Sequence, residues 1–243
     1  MSKNILQSLK HIFSEDNRDI TFDLGMRYGN PSIKEALQRF KDKSISKILV
    51  IPLYPQAGSP TTSSTFDAVS SYLSTQSWTP NLRFISGYHD HKDYIISLSR
   101  SIKDSFSKNG KPDKLIFSYH GMPDRYLQEG DPYYCFCHKT TRLVAEKLSL
   151  DKDHYEMAFQ SRFGYEKWLQ PYLDDMIPEM AKNGVNHLQI ISPGFSVDCL
   201  ETLEEINIQY RELFEDNGGK KFNYIPCLND SDNQLAMIKN LVL

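Results

Sequence analysis

The chain has 243 residues, enough for one large or two small domains with real cores. Apolar residues make up 40 % and charged residues 24 %, and the net charge is −3, so no cationic surplus exists to meet a phosphate backbone and nucleic-acid binding is disfavoured. No apolar run reaches membrane-spanning length.

The first run, MSKNILQSLKHIF, reads as a weakly amphipathic helix. It lacks the continuous apolar core and small-residue cleavage site of a secretory leader, which points to a cytoplasmic protein. From there the chain alternates. The runs DITFDLGM, SKILVIPLY, LRFISGY, DKLIFSYH, YEMAFQS, HLQIISP and FNYIPCL are short and rich in β-branched and aromatic residues. Between them lie segments of helical spacing, SIKEALQRF, TTSSTFDAVSSYL, HKDYIISLSRSIKDSF, HKTTRLVAEKL, EKWLQPYLDDMIPEM and LETLEEINIQYRELF, and NQLAMIKNLVL closes the chain. This rhythm predicts an α/β fold of parallel sheets flanked by helices, and seven strands at this spacing suit two doubly wound, Rossmann-like units. The polar, Gly- and Pro-bearing stretch 105–114 marks the boundary. The first unit then covers 1–108, completed by the helix in 230–243, and the second covers 109–229.

Open α/β sheets bind ligands beyond the carboxyl ends of their strands. There this chain places YPQAGSPTTSS, SYHGMP, QSRFGYEKW and SPGFSVDCLETLEE. These loops hold aromatic, hydroxyl and small residues and few lysines. Neither G-x-G-x-x-G nor a glycine-rich loop with a lysine occurs, so a large flat apolar ligand fits them better than a nucleotide.

Two positions carry candidate chemistry. His120 ends the run DKLIFSYH just before a Gly121–Pro123 turn, and an imidazole is the side chain that exchanges protons near neutral pH. A histidine bonded only to its own loop would look the same. Downstream, Asp198-Cys-Leu-Glu201 opens a helix; Asp with Glu three residues on is also a capping-box variant. Glu201 and Glu205 stand four residues apart, on one helix face, which is mildly repulsive unless the face is solvated or meets a cation. His120 and Glu201 on one crevice could bind a divalent metal or accept protons, with Asp198 as both cap and support.

Other clusters read as structural. Cys135-Phe-Cys137-His138 lacks a second matching pair, and the four cysteines, which include Cys199 and Cys227, read as free thiols. His89-Asp-His91 reads as a polar loop in which Asp90 caps the next helix.

Taken in order, MRYGNPSI, LVIPLYPQ, SYHGMP, GDPYY, FQSRFG, WLQPYL, PGFSVDCLETLEEI and GGKKFNYIPCLN resemble ferrochelatase, from about Asp23 to the C-terminus. Each motif alone is weak; the ordered set is specific. The resemblance implies two Rossmann-like units around a cleft, and insertion of Fe²⁺ into protoporphyrin IX with release of two protons. It assigns His120 (S-[FY]-H-G-x-P) and Glu201 (D-x-x-E-T-L) as the catalytic and metal-handling pair. It puts Arg27, Tyr28, Tyr54, Trp168 and Phe195 on substrate-lining positions, with Asp198 and Glu205 in support. The family's acidic line shortens here, because Gln209 stands one turn after Glu205. No tightly bound cofactor is implied, Fe²⁺ being a substrate, and the cysteine spacing does not fit a [2Fe–2S] cluster. A greasy product leaves room for weak membrane association.

Family members open with a strand reading roughly L-L-x-N-L-G-x-P, which this chain does not show. The expectation is therefore a first unit that lacks a central strand, whether through a truncated product or a misassigned start, and a chain that is poorly stable or inactive alone. The alternatives left open are a chelatase for another tetrapyrrole or metal (coproporphyrin with iron, sirohydrochlorin with cobalt) and an inactive or porphyrin-carrying fragment.

Overall fold

A computed structural model describes residues 1–15 and 19–243. In chain order it contains α1 (Ser2–Ser14), α2 (Ile33–Asp42), β1 (Lys47–Val50), α3 (Ser64–Leu73), β2 (Asn81–Phe84), α4 (Lys92–Asn109), β3 (Lys114–His120) and α5 (Asp124–Gln128). Then come α6 (Tyr133–Leu148), β4 (Tyr155–Gln160), α7 (Leu173–Lys182), β5 (His187–Ile191), α8 (Leu200–Leu203), α9 (Arg211–Asp216), β6 (Lys221–Ile225) and α10 (Asp232–Val242). A π-helical turn, Glu205–Tyr210, joins α8 to α9, and another, Ser59–Ser63, leads into α3.

Local chemistry explains the boundaries. Ser32 and Glu35 form a capping box at the start of α2, each side chain bonding the other's backbone N–H. α4 stops at Gly110, whose φ of 83° continues no helix. Asp90 does not cap α4 as expected: His91 is the N-cap without a side-chain bond, and Asp90 instead accepts from Lys139 Nζ at 2.5 Å. The carboxylate thus pairs with α6 rather than with the start of α4.

The six strands among the described residues form two parallel sheets. β1 pairs only with β2, with Ile48 opposite Leu82. The four-stranded sheet has the order β4–β3–β5–β6. The run DITFDLGM is not a strand. Its one β-bridge among the described residues is Met26 with Ser32, Ile20 and Phe22 pack against the core, and residues 19–24 line a cavity of about 920 Å³ together with Ile48, Leu49 and Ile51. An extended segment becomes a strand only when a partner accepts its backbone bonds, and here that cavity intervenes. Asp23 is held by Arg39 instead, at 2.6 and 2.9 Å.

Strand alternation divides the larger core in two. Leu115, Phe117, Tyr119, Met157 and Phe159 pack on one side with Tyr94, Leu98 and Ile102 of α4 and Cys137 and Val144 of α6. Ile116, Ala158, Leu188 and Ile190 pack on the other with Leu173 and Ile177 of α7, Ile206, Tyr210 and Phe214. By the same parity Ser118, His120 and Gln160 belong to the second face, the one covered by the helical stretch 200–216. β3 also outruns β5: their pairing ends at Phe117 opposite Ile191, while β3 continues to His120 opposite Gln160 of β4. The overhang leaves the tip of β3 open on its β5 side, beneath the loop that follows β5. α10 returns to the start of the chain, where Leu235 and Ile238 share a core with Ile5, Leu9 and Phe13 of α1.

Candidate active site

His120 is half-buried at the tip of β3. Its Nδ1 lies 2.7 Å from the Gly121 carbonyl oxygen, which can only accept, so Nδ1 carries the proton and Nε2 keeps its lone pair. Two bonds hold the backbone beneath the ring. Tyr133 of α6 donates its hydroxyl to the His120 carbonyl at 3.0 Å, and the Gly121 N–H donates to the Gln160 carbonyl at 2.7 Å. Phe195, from the loop after β5, stands 6.4 Å away, ring centroid to ring centroid.

Glu201 sits in the first turn of α8. The cap there is not the expected Asp198–Glu201 box. Cys199 is the N-cap, and Thr202 closes the box by accepting the Cys199 N–H at 3.0 Å. That frees both carboxylates for other work. A hydrogen bond from the Cys199 thiol holds the Glu201 carboxyl below the usual carboxylate range; burial opposes it, and the nearby His120 ring, in its charged form, adds to it. The same contact, with burial foremost, pushes the thiol up to about 12, so Cys199 stays protonated as a donor.

Asp198 is a hub beneath the helix start. It accepts from Tyr224 at 2.6 Å, Asn229 at 2.7 Å, Thr202 at 3.0 Å and the Cys227 N–H at 3.2 Å. Burial would raise its pKa, but these bonds outweigh burial and lower it. Glu205 is also fully engaged. It accepts from the Ser161 N–H at 2.8 Å, Tyr210 at 3.0 Å and Gln160 at 3.2 Å, and from the Ser161 hydroxyl. The carboxylate stripe expected along one face is thus broken by the π-turn that begins at Glu205, and its second member meets neutral donors rather than solvent or a cation.

A cavity of about 460 Å³ gathers the rest, within the range of small-molecule sites. Arg27, Tyr54, Gly194, Phe195, Cys199 and Glu201 line it. Arg27 donates its Nε–H to Ser64 at 2.8 and 2.9 Å and lies over the Tyr28 ring at 4.7 Å; Tyr28 itself is exposed. Burial, foremost, raises the Tyr54 hydroxyl pKa, so it stays a neutral donor. Trp168 is not among the lining residues. It is buried under the turn after His120, where a Cβ on Gly121 would stand 3.0 Å from its ring. The structure thus brings Arg27, Tyr54, Phe195 and Glu201 to one cavity; His120 is not among its lining residues but stands 6.4 Å from the Phe195 ring, and Tyr28, Trp168, Asp198 and Glu205 do not line it either.

Gln160, Cys199 and Tyr133 escaped the reading of the sequence as site residues. A glutamine ending an otherwise apolar strand, in YEMAFQS, was the available signal for the first.

The model of the ferrochelatase family matches residues 1–243. Ferrochelatase 2 of Shewanella oneidensis is 53 % identical over 227 residues, which are 93 % of this chain and 69 % of that protein. The Hydrogenovibrio crunogenus ferrochelatase is 51 % identical over 92 % of this chain and 59 % of its own length. That of Marinobacter nauticus is 46 % identical over 99 % and 64 %. The chain therefore spans roughly three-fifths to two-thirds of the length of these curated relatives. Among solved structures, Bacillus subtilis SirB with Fe³⁺ superposes with a TM-score of 0.72 at 11 % identity, covering 99 % of this chain and 86 % of SirB. CbiX, the terminal enzyme of siroheme biosynthesis in denitrifying bacteria, gives 0.52 at 14 % identity over 83 % and 76 %. At these identities the two structures establish the chelatase-like fold.

Proposed function

Because this chain belongs to the ferrochelatase family, we propose that it serves the insertion of Fe²⁺ into protoporphyrin IX, the last step of haem synthesis, with no resident cofactor. The observation that carries the reading is an imidazole whose Nε2 makes no bond among the described residues, near a carboxylate held in its charged form that lines a cavity of about 460 Å³.

A flat macrocycle with two central N–H groups admits no metal until it bends and loses those protons. Walls such as Phe195 and Tyr54 can impose the bend through contacts at the periphery. Nε2 of His120 takes a pyrrole proton. Glu201 delivers Fe²⁺ or receives the second proton; one oxygen and one nitrogen ligand hold iron only moderately, which suits a metal that must be released. Among the described residues no three His, Cys, Asp or Glu side chains converge on one metal position. Arg27, with no carboxylate partner among its bonds, is free to meet an anionic edge of the macrocycle.

We assign 1–108 with 230–243 to one unit and 109–229 to the other, with the site between them. No helix among the described residues is long and apolar enough to cross a membrane. The exposed Phe163, Tyr165, Leu200 and Leu203 give the protein greasy points through which a cytoplasmic enzyme can touch a lipid surface weakly.

His120→Ala should abolish metal insertion while protoporphyrin, followed by fluorescence quenching, still binds. An alanine variant that turns over normally rejects the role of His120. Product absorbance with protoporphyrin, coproporphyrin and sirohydrochlorin, each with Fe²⁺ and Co²⁺, separates this reading from the neighbouring chelatases.

A further inference from the structure

Gln160 ties together the two halves of the candidate pair. It is 1 % exposed and stands opposite His120 in the parallel ladder of β3 and β4. Its backbone carbonyl accepts the Gly121 N–H at 2.7 Å, fixing the turn that leaves His120. Its side-chain Oε1 accepts from the buried Ser118 hydroxyl at 2.7 Å. Its Nε2 donates to the Glu201 backbone carbonyl at 2.8 Å and to Glu205 Oε2 at 3.2 Å, with Ser161 Oγ at 3.4 Å. The amide cannot be reversed: its oxygen would then face a carbonyl and a carboxylate, neither of which can donate.

The strand tip and the helix start are otherwise separate pieces of chain, 81 positions apart in the numbering of His120 and Glu201. A buried, fully bonded amide between them fixes their relative position, because slipping either piece leaves several polar groups buried without partners. Glu205 completes the joint. Its carboxylate accepts from both the backbone and the hydroxyl of Ser161, a non-glycine residue held at a φ of 62°. That left-handed conformation is costly for serine and persists where surrounding bonds impose it. With all of these donors on it, Glu205 acts as a clamp rather than as a relay carboxylate.

We propose that Gln160 is the positioning residue that sets the spacing of His120 and Glu201, and that Glu205 is the clamp that holds it. The inference rests on the reading of His120 and Glu201 as a metal-handling pair.

The test measures Co²⁺ binding by visible absorption, counting only the part that His120→Ala removes, beside haem formation by the same preparations. Q160E keeps size and shape but turns a donor into an acceptor facing the Glu201 carbonyl and the Glu205 carboxylate. It should weaken His120-dependent Co²⁺ binding by about tenfold or more, as loss of a ligand-orienting bond does, while protoporphyrin binding by fluorescence stays unchanged. The double variant Q160E/E205Q restores a donor–acceptor pair between positions 160 and 205 but leaves the Glu201 carbonyl facing an oxygen, so it should recover part of the loss. Should Q160E not fold, S118A decides: it removes one anchor of the amide with little change in volume and should weaken Co²⁺ by about threefold, an early fraction of the same cost. Wild-type Co²⁺ affinity in Q160E or S118A, no recovery in the double variant, or no His120-dependent Co²⁺ in the wild type would each overturn the proposal. A wild type that binds Co²⁺ through His120 and forms no haem rejects the assigned reaction and leaves the positioning role standing.

Discussion

At the scale of single residues, the site separates groups left free from groups made fully satisfied. His120 Nε2 belongs to the first kind, and Asp198 to the second. Asp198 holds Tyr224, Asn229, Thr202 and the Cys227 N–H at once, so it supports the helix start without facing the cavity. Asp198→Ala strands these donors and should cost about 2–3 kcal/mol in denaturant unfolding, the usual price of orphaned polar groups. Asp198→Asn keeps one acceptor and loses the charge. Because the folded pKa lies below the unfolded one, the charged form contributes stability above about pH 4, the unfolded value, and loses it as pH falls through the folded value. The gap between wild type and Asp198→Asn should therefore be widest at neutral pH and close under acid. A gap that stays unchanged as the pH is taken from neutral down through the acid range would contradict that account.

At the scale of elements, the turn after β3 is built to a tolerance. A Cβ on Gly121 would stand 2.8 Å from the Gln160 carbonyl and 3.0 Å from the Trp168 ring, and neither backbone nor buried indole can yield. Gly194, in the loop facing it, would meet nothing nearer than 3.5 Å. Gly121→Ala should thus cost about 1–3 kcal/mol of stability, the range for overpacking, while Gly194→Ala stays near the wild type. Equal melting temperatures for the two variants would refute the close approach. Strand and helix signals made much of this element pattern legible beforehand. His120 was readable because a buried run ends on it before a turn, and Glu201 because it opens a helix. Gln160 was not, since its importance comes from standing opposite His120, and register between β3 and β4 is a property of two strands rather than of either run. The cap at α8 was misread for a related reason: Cys199 and Thr202 form the box, and Asp198 is drawn away by residues 224–229, which sequence spacing does not bring near. The run DITFDLGM carries strand chemistry, yet finds no ladder partner across the cavity beside β1.

At the scale of the molecule, the two sheets rest on unequal foundations. The four-stranded sheet is covered on both faces, by α4 and α6 on one side and by α7, the π-turn and α9 on the other. α10 joins the α4 side and reaches it through Arg100 to Asn233 and Asn240 to Asp93, each at 2.7 Å. The two-stranded sheet has a smaller core of Leu37, Ile48, Val69 and Tyr72, and the far edge of β1 faces the larger cavity. Two strands with an open edge are marginal unless something packs on them. Opening of β1 and β2 exposes little apolar surface, while opening β3 or β5 dismantles both faces of the larger core. Native-state hydrogen exchange should therefore find the amides of Ile48–Val50 exchanging at least about a hundredfold faster than those of Ile116, Phe117 and Ile190, as in a subglobal unit that opens alone. The free-energy gap behind that ratio ought to shrink as denaturant drives global unfolding, when both sheets are lost together. If the two sets exchange at one rate in the absence of denaturant, the molecule unfolds as a single cooperative block. The walls carrying Arg27 and Tyr54 would then be as rigid as the strand tip carrying His120. If they differ as expected, the cavity has one firm wall and one yielding wall.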